Sequence, residues 1–148
     1  MQQKKIVTVN TPAEIVIRPT WVQYLDTTVQ AGFPSMAEDH AVSRIDLMDE
    51  IIKHPQATVM LRVRGDSMKD AGIMDGSVAL IDKAIRPRSG HVVVACIDNE
   101  FVCKYFFEIG GRVILRAANP AYPDLTFKDG QTLEIWGVVV ASIVQHPS

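Results

Sequence analysis

The second half of the chain contains short apolar runs that are separated by residues typical of turns. Of the features of this sequence, this pattern restricts the possible folds most. The runs 92–96 and 101–106 flank Asp98-Asn99, a pair that tolerates the left-handed backbone of a tight hairpin. Gly110-Gly111 then turns the chain into the run 113–115. Short strands joined by regular turns predict a mostly-β domain that is small, strongly curled and partly closed.

The longest of these runs covers residues 133–141 and is apolar on both faces. A strand of this kind lies either inside the core or at a dimer interface. Further strands are predicted over 57–63 and 78–81, and a helical turn over 68–71. A short helix is predicted over 46–53, because acidic residues occupy its first turn and a His-Pro pair ends it.

Residues 1–31 are interpreted as an extended N-terminal arm. Their β-prone runs, 6–9 and 15–17, are interrupted by Pro12 and Pro19, and no helix-turn-helix pattern fits them. The aromatic residues near the end of the arm favour packing against a body or a partner.

The segment 30–35 joins this arm to the rest of the chain. It combines small residues with glycine and proline, which is typical of an extended or turning linker. The linker is either a plain domain boundary or a protease-accessible bond between Ala31 and Gly32.

The composition excludes several classes of protein. With 148 residues, 47% hydrophobic and 22% charged, the chain suits one globular domain. Its net charge of −2 lacks the excess of Lys and Arg that a generic nucleic-acid binder carries. No apolar run reaches about 18 residues, so we expect no membrane-spanning helix. No signal-peptide region is found, so we expect a cytoplasmic location. Cys96 and Cys103 form no metal-ligand set with the four scattered histidines, so we expect no metal ion, cofactor or disulfide framework.

The stretch Gly65-Asp66-Ser67-Met68 places a serine hydroxyl close to the end of a predicted strand. Such a serine needs a base to become a nucleophile, and no histidine has a carboxylate partner that the sequence singles out. Lys104 is the better candidate, because on a strand it shares a face with Val102 and Phe106, and desolvation there would lower its pKa. Ser-Lys pairs are a known variant of the catalytic triad. The backbone N–H groups of Asp66 and Ser67 are the candidate oxyanion donors.

Both side chains also have plainer interpretations. Ser67 is compatible with a turn serine or with the N-cap of the helical turn that follows. Lys104 is compatible with a solvated lysine on an edge strand. Spacing and polarity alone favour these structural roles, and Asp66 is expected to shape the turn.

Five motifs of the sequence occur together in one known protein family. They are Gly65-Asp66-Ser67-Met68, the Asp75-Gly76 turn, Phe101-Val102-Cys103-Lys104, Asn119-Pro120-Ala121-Tyr122 and Trp136-Gly137-Val138-Val139. Together with Ala31-Gly32-Phe33-Pro34-Ser35 and a helix at Arg44-Ile45-Asp46-Leu47, they resemble the self-cleaving Ser-Lys peptidases of the LexA and phage-repressor type. Within that group the chain is most similar to the UmuD-like branch, over residues 31 to about 144.

The resemblance implies a fold of the LexA C-terminal-domain type, with Ser67 as the nucleophile and Lys104 as the general base. It implies cleavage between Ala31 and Gly32, which divides the chain into an arm, 1–31, that is removed and a peptidase and dimerisation domain, 32–148. A RecA–single-stranded-DNA filament would stimulate the cleavage. The product would act in the SOS response as a homodimer, serving as accessory subunit of an error-prone translesion polymerase with a Y-family, UmuC-like catalytic subunit.

Two alternatives remain open at this point. In one, the same scaffold is a non-catalytic module that binds a polymerase or RecA, and the serine is incidental. In the other, the chain is a repressor-type regulator without its DNA-binding half, so that the gene continues upstream of Met1. No direct sequence-specific DNA binding is expected of the chain itself, because a proline-broken arm cannot supply a DNA-binding domain.

Overall fold

The computed structural model describes residues 19–26, 28–29, 31–32, 41–128 and 130–148. The predicted β-prone runs near the N-terminus, 6–9 and 15–17, lie outside these residues. Among the described residues 45% are in strands and 9% in helices, which confirms the prediction of a mostly-β fold. The chain divides into two compact units, residues 1–50 and residues 51–148. No helix in the described part of the chain is long and apolar enough to cross a bilayer.

The first unit contains an antiparallel hairpin of β1 (Trp21–Leu25) and β2 (Val42–Asp46). The hairpin is closed by a hydrogen bond from the backbone N–H of Asp26 to the carbonyl of Ala41, 2.9 Å long. Trp21 is 56% exposed, so in this unit the aromatic end of the arm is not buried. Along the sequence, β1 precedes the Ala31–Gly32 bond and β2 follows it.

A short helix, α1 (Leu47–Ile51), follows β2. Asp46 accepts a hydrogen bond from the backbone N–H of Met48 at 3.0 Å, as a capping residue does. The predicted helix at Arg44-Ile45-Asp46 is wrong, because these residues belong to β2 and pair with β1. Their helical character was overridden by a strand pairing that no local pattern reveals.

The second unit is built on a seven-stranded antiparallel sheet with the order β3-β4-β9-β5-β6-β7-β8. The sheet does not close into a barrel, in agreement with a curled fold. Its strands are β3 (Thr58–Arg62), β4 (Val78–Asp82), β5 (Val92–Ile97), β6 (Glu100–Ile109), β7 (Arg112–Arg116), β8 (Leu125–Thr126) and β9 (Leu133–Ile143). Two 3₁₀ turns complete it, Pro55–Ala57 before β3 and Lys69–Ala71 between β3 and β4.

The predicted hairpins are confirmed by the backbone of their turns. Asp98 and Asn99, between β5 and β6, have φ of 47° and 69°. Gly110 and Gly111, between β6 and β7, have φ of 58° and 75°. Two successive residues with positive φ form the turn whose twist matches that of paired strands.

The strand β9 lies at the centre of the sheet, paired with β4 on one side and β5 on the other. Its two-faced apolar character is therefore explained in part by burial, since Gly137 and Val138 are buried. At Gly137 a Cβ atom would lie 2.5 Å from the side-chain Cγ2 of Ile81 and 3.2 Å from the backbone oxygen of Asp82, both in β4. Only glycine fits at this position of β9 without displacing these atoms.

Candidate active site

The turn that carries Ser67 follows β3 and is held by hydrogen bonds from both sides. Beyond β3, the backbone N–H of Val63 donates to the carbonyl of Ser77 at 2.9 Å. Gly65 has φ of +88°, a conformation that glycine adopts readily, and its N–H donates to the Asp75 carboxylate at 2.7 Å. Of the alternatives considered for Ser67, the N-cap is not adopted, because the cap position of the following 3₁₀ turn is Met68, which makes no side-chain cap bond.

Lys104 reaches this turn from β6. Its Nζ lies 2.7 Å from Ser67 Oγ and 3.1 Å from the carbonyl oxygen of Cys103. The two side chains are thus in direct contact although 37 residues separate them in the chain. Both are partly buried.

The environment of Lys104 favours its neutral form. Burial lowers the pKa of its amine below the usual 10.5, whereas a negative charge on Cys103 would raise it. Burial raises the pKa of the Cys103 thiol to about 11. Cys103 therefore stays a neutral thiol at physiological pH, and its opposing influence on the lysine is absent there.

The histidines that the structure describes lie elsewhere. His54 contacts the carboxylate of Asp82 through Nδ1, at 2.5 Å, and Asp82 is only 1% exposed. His91 accepts a hydrogen bond from the backbone of Arg88 at 3.2 Å. Of His54, His91 and His146, none is hydrogen-bonded to Ser67, so within the described residues Lys104 is the base candidate that touches the hydroxyl.

The candidate oxyanion donors, the backbone N–H groups of Asp66 and Ser67, belong to the same turn as the Ser67 hydroxyl. Neither the N–H of Asp66 nor that of Ser67 donates a hydrogen bond to another described residue. The carbonyl of Asp66, which shares a peptide plane with the Ser67 N–H, accepts from the backbone N–H of Lys69 at 3.2 Å and from Asn119 Nδ2 at 3.1 Å. The Ser67 amide is thereby fixed in orientation while its own proton stays available.

Three further residues of the site were not assigned roles from the sequence. Asp75 holds Gly65, and Asn119 holds the Asp66 carbonyl. Tyr122 donates its hydroxyl to the Asp66 carboxylate at 2.6 Å, and this contact raises the pKa of the tyrosine. The sequence places all three in turn or loop motifs that carry the resemblance, but it shows no contact for them, because their partners lie 10, 53 and 56 positions away.

The predicted cleavage site lies in the first unit. Ala31 and Gly32 are both exposed and adopt a bend. A Cβ atom placed on Gly32 would meet no other atom within 4 Å. Among the described residues of that unit, none covers the bond between them.

Comparison with known proteins gives consistent matches over most of the chain. The model of the Peptidase S24-like family matches residues 23–140, a range that includes Ser67, Lys104 and Asn119. Protein MucA of Salmonella typhimurium is 39% identical over 120 residues, covering 80% of this chain and 82% of that protein. Protein SamA of Salmonella typhimurium is 42% identical over 113 residues, with 76% and 78% covered. The LexA repressor of Shewanella woodyi is 40% identical over 116 residues, 78% of this chain and 56% of the repressor.

Proposed function

The chain is a UmuD-like member of the Peptidase S24-like family, and from this premise we propose that it cuts its own Ala31–Gly32 bond with Ser67 as nucleophile and Lys104 as general base. The observation that carries the proposal is the 2.7 Å separation between Lys104 Nζ and Ser67 Oγ. A nucleophile and its base must lie within hydrogen-bond reach of each other, and this pair does.

The reaction begins when the neutral amine of Lys104 accepts the Ser67 proton as Oγ attacks the carbonyl carbon of Ala31. The C=O π bond opens, and the resulting oxyanion accepts hydrogen bonds from the N–H groups of Asp66 and Ser67. The C–N bond then breaks, and the lysine ammonium returns its proton to the departing nitrogen of Gly32. An ester between Ala31 and Ser67 remains.

Water completes the cycle. Lys104, neutral again, accepts a proton from a water molecule as its oxygen attacks the ester carbonyl. The second tetrahedral intermediate collapses, Ser67 Oγ takes the proton back from Lys104, and a new carboxyl terminus is left at Ala31. The same two residues therefore serve both halves of the reaction, as in other covalent hydrolases.

The processed product, residues 32–148, is proposed to act in SOS mutagenesis. In this role it forms a homodimer and serves as accessory subunit of a translesion polymerase whose catalytic subunit is UmuC-like and of the Y family. A RecA–single-stranded-DNA filament would accelerate cleavage at neutral pH. The support for this role is the family membership and the similarity to MucA and SamA.

Self-cleavage is tested by incubating the full chain at about pH 10, near the reference lysine pKa, and following it by mass spectrometry. We expect fragments of residues 1–31 and 32–148 in the wild type, and none in Ser67→Ala or Lys104→Ala. Ser43→Ala and Lys128→Ala are matched controls, since both side chains are exposed and lie outside the site. An intact wild-type chain, or continued cleavage in either site variant, would refute the peptidase assignment.

The partners need separate measurements. RecA assembled on single-stranded DNA should raise the wild-type cleavage rate at neutral pH and leave Ser67→Ala intact. The product should elute as a dimer on size-exclusion chromatography with light scattering, and should co-purify with a UmuC-like polymerase. Cleavage that is indifferent to the filament, or a monomeric product, would contradict the corresponding part of the proposal.

A further inference from the structure

The loop between β7 and β8 contacts the turn that carries Ser67 at several points. We call this loop, together with Arg116 at the end of β7, the brace (residues 116–124). The base of the brace is closed by a bidentate ion pair in which Arg116 Nε and Nη2 donate to the two carboxylate oxygens of Asp124 at 3.0 and 2.9 Å. Four hydrogen bonds then join the brace to the turn: Asp70 N–H to the Ala118 carbonyl, Ala118 N–H to Met68 Sδ, Asn119 Nδ2 to the Asp66 carbonyl, and Tyr122 hydroxyl to the Asp66 carboxylate.

Asn119 is the polar side chain of the brace that is buried, with 6% of its surface exposed. Its Oδ1 accepts the backbone N–H of Ala121 at 3.0 Å, and its Nδ2 donates to the carbonyl of Asp66 at 3.1 Å. Because an acceptor is needed at one end and a donor at the other, these two contacts fix the orientation of the side-chain amide. A buried amide satisfied at both ends is costly to rotate.

The bond to Asp66 has a geometric consequence for Ser67. The carbonyl of Asp66 and the N–H of Ser67 belong to one planar trans peptide, so they point in opposite directions. A donor that holds the carbonyl therefore also sets the direction of the N–H. In addition, hydrogen bonds along one peptide polarise each other, so donation to the carbonyl makes the N–H a stronger donor.

We propose that Asn119 is a positioning residue that aims the Ser67 N–H at the oxyanion formed during self-cleavage. This inference rests on the proposed function, because it concerns a donor of that reaction. Asn119 acts through the Asp66–Ser67 peptide and does not itself touch the reacting atoms. Tyr122 supports the same peptide from outside, through an exposed carboxylate, and its contribution is correspondingly smaller.

The test compares the pH dependence of self-cleavage in the full-length wild type, Asn119→Ala and Asn119→Asp. Deleting an oxyanion donor outright costs about 10²–10³ in rate, and Asn119→Ala leaves the donor present but less well aimed. We therefore expect the plateau rate to fall by about tenfold to a hundredfold. The midpoint of the profile should not move, because the contacts of the Lys104 amine, Ser67 Oγ and the Cys103 carbonyl, do not involve Asn119.

Asn119→Asp keeps the size of the side chain and the acceptor for Ala121 but replaces the donor by a carboxylate. Because the added negative charge raises the pKa of a nearby amine, this variant is judged by its plateau rate and not by its midpoint. It also carries the test if Asn119→Ala melts below the assay temperature. Gln131→Ala is the matched control, since Gln131 also bonds a backbone N–H, that of Lys128 at 2.9 Å, from an exposed loop outside the brace. Its cleavage profile should equal that of the wild type.

The outcomes separate the inference from the function on which it rests. Wild-type cleavage that Ser67→Ala abolishes, together with unchanged rates in both Asn119 variants, overturns the positioning role and leaves the peptidase intact. A loss explained entirely by a shifted midpoint or by an unfolded fraction on circular dichroism also overturns it. A wild-type chain that stays whole at every pH overturns the proposed function, and the positioning role with it.

Discussion

Replacing Gly137 by alanine tests the close contact between the paired strands β9 and β4. The added Cβ would lie 2.5 Å from Ile81 Cγ2, whereas carbon atoms in contact are normally about 3.5–4.0 Å apart. Ile81 is 0% exposed and belongs to a core cluster with Ala79 and Val94. The same Cβ would lie 3.2 Å from the carbonyl oxygen of Asp82, so the strand β4 must shift as well.

Two opposing effects decide the stability of this variant. Alanine restricts the unfolded chain more than glycine does, which alone would stabilise the protein by about 0.4–1 kcal/mol. Overpacking a tight core costs about 1–3 kcal/mol, and the contact with Ile81 places Gly137 at the upper part of that range. The net loss is then about 1–2.5 kcal/mol. For a chain of this length each kcal/mol lowers the melting temperature by about 2–4 °C, so a fall of about 2–10 °C is expected for Gly137→Ala.

The measurement is thermal unfolding of Gly137→Ala, of Ile81→Ala and of the double variant. If the clash is the cause, Gly137→Ala costs less when Ile81 is already truncated, and the double-mutant cycle gives a coupling free energy of about 0.5–3 kcal/mol. Gly32→Ala is the matched control, because a Cβ there meets nothing within 4 Å. A Gly137→Ala protein as stable as the wild type, or one whose loss is identical in the Ile81→Ala background, would refute the reasoning.

Three further predictions follow from the titratable groups. Because the lowered pKa of Lys104 must be passed for the amine to become neutral, the self-cleavage rate should rise about tenfold per pH unit below that pKa and level off before pH 10.5, as pH-jump kinetics would show. At pH 8, iodoacetamide should alkylate Cys103 about a hundredfold more slowly in the native protein than in the unfolded chain, since burial raises the pKa of the thiol from 9.0 to about 11. His54→Ala should lower the free energy of unfolding by about 1–3 kcal/mol, because it removes a hydrogen-bond partner from the buried Asp82 carboxylate. An equal loss in an Asp82→Asn background would show that the contact with this carboxylate is not the cause.

The sheet was largely predictable from the sequence because its turns are local. Asp98-Asn99 and Gly110-Gly111 each specify a hairpin from two residues, and the strands on either side follow from their apolar runs. The helix start was misplaced for the opposite reason. Residues 44–46 pair with β1, whose strand lies about 20 residues earlier, and such a pairing leaves no signal in a short window.

The candidate site shows the same division. Strand position and polarity made Ser67 and Lys104 candidates, and the family resemblance, not their spacing, gave them catalytic roles. It could not assign a role to Asn119, because the meaning of that residue depends on a carbonyl group 53 positions away. Side chains that orient a backbone peptide are recognised from distances and burial, and these exist only in the folded chain.

The hairpin of β1 and β2 gives the proposed cut a thermodynamic direction. While Ala31 and Gly32 are joined, the covalent connection keeps the two strands at a high effective concentration, on the order of millimolar for short connections. Cutting the bond removes this advantage. Among the described residues, the arm is then held by the pairing of Trp21–Leu25 with Val42–Asp46 and by the hydrogen bonds of Thr20 and Asp26 beside it. A two-stranded hairpin is marginally stable even when its strands are connected. At micromolar protein the pairing of β1 with β2 would therefore favour the separated strands, and dilution would oppose the rejoining of the two new chain ends.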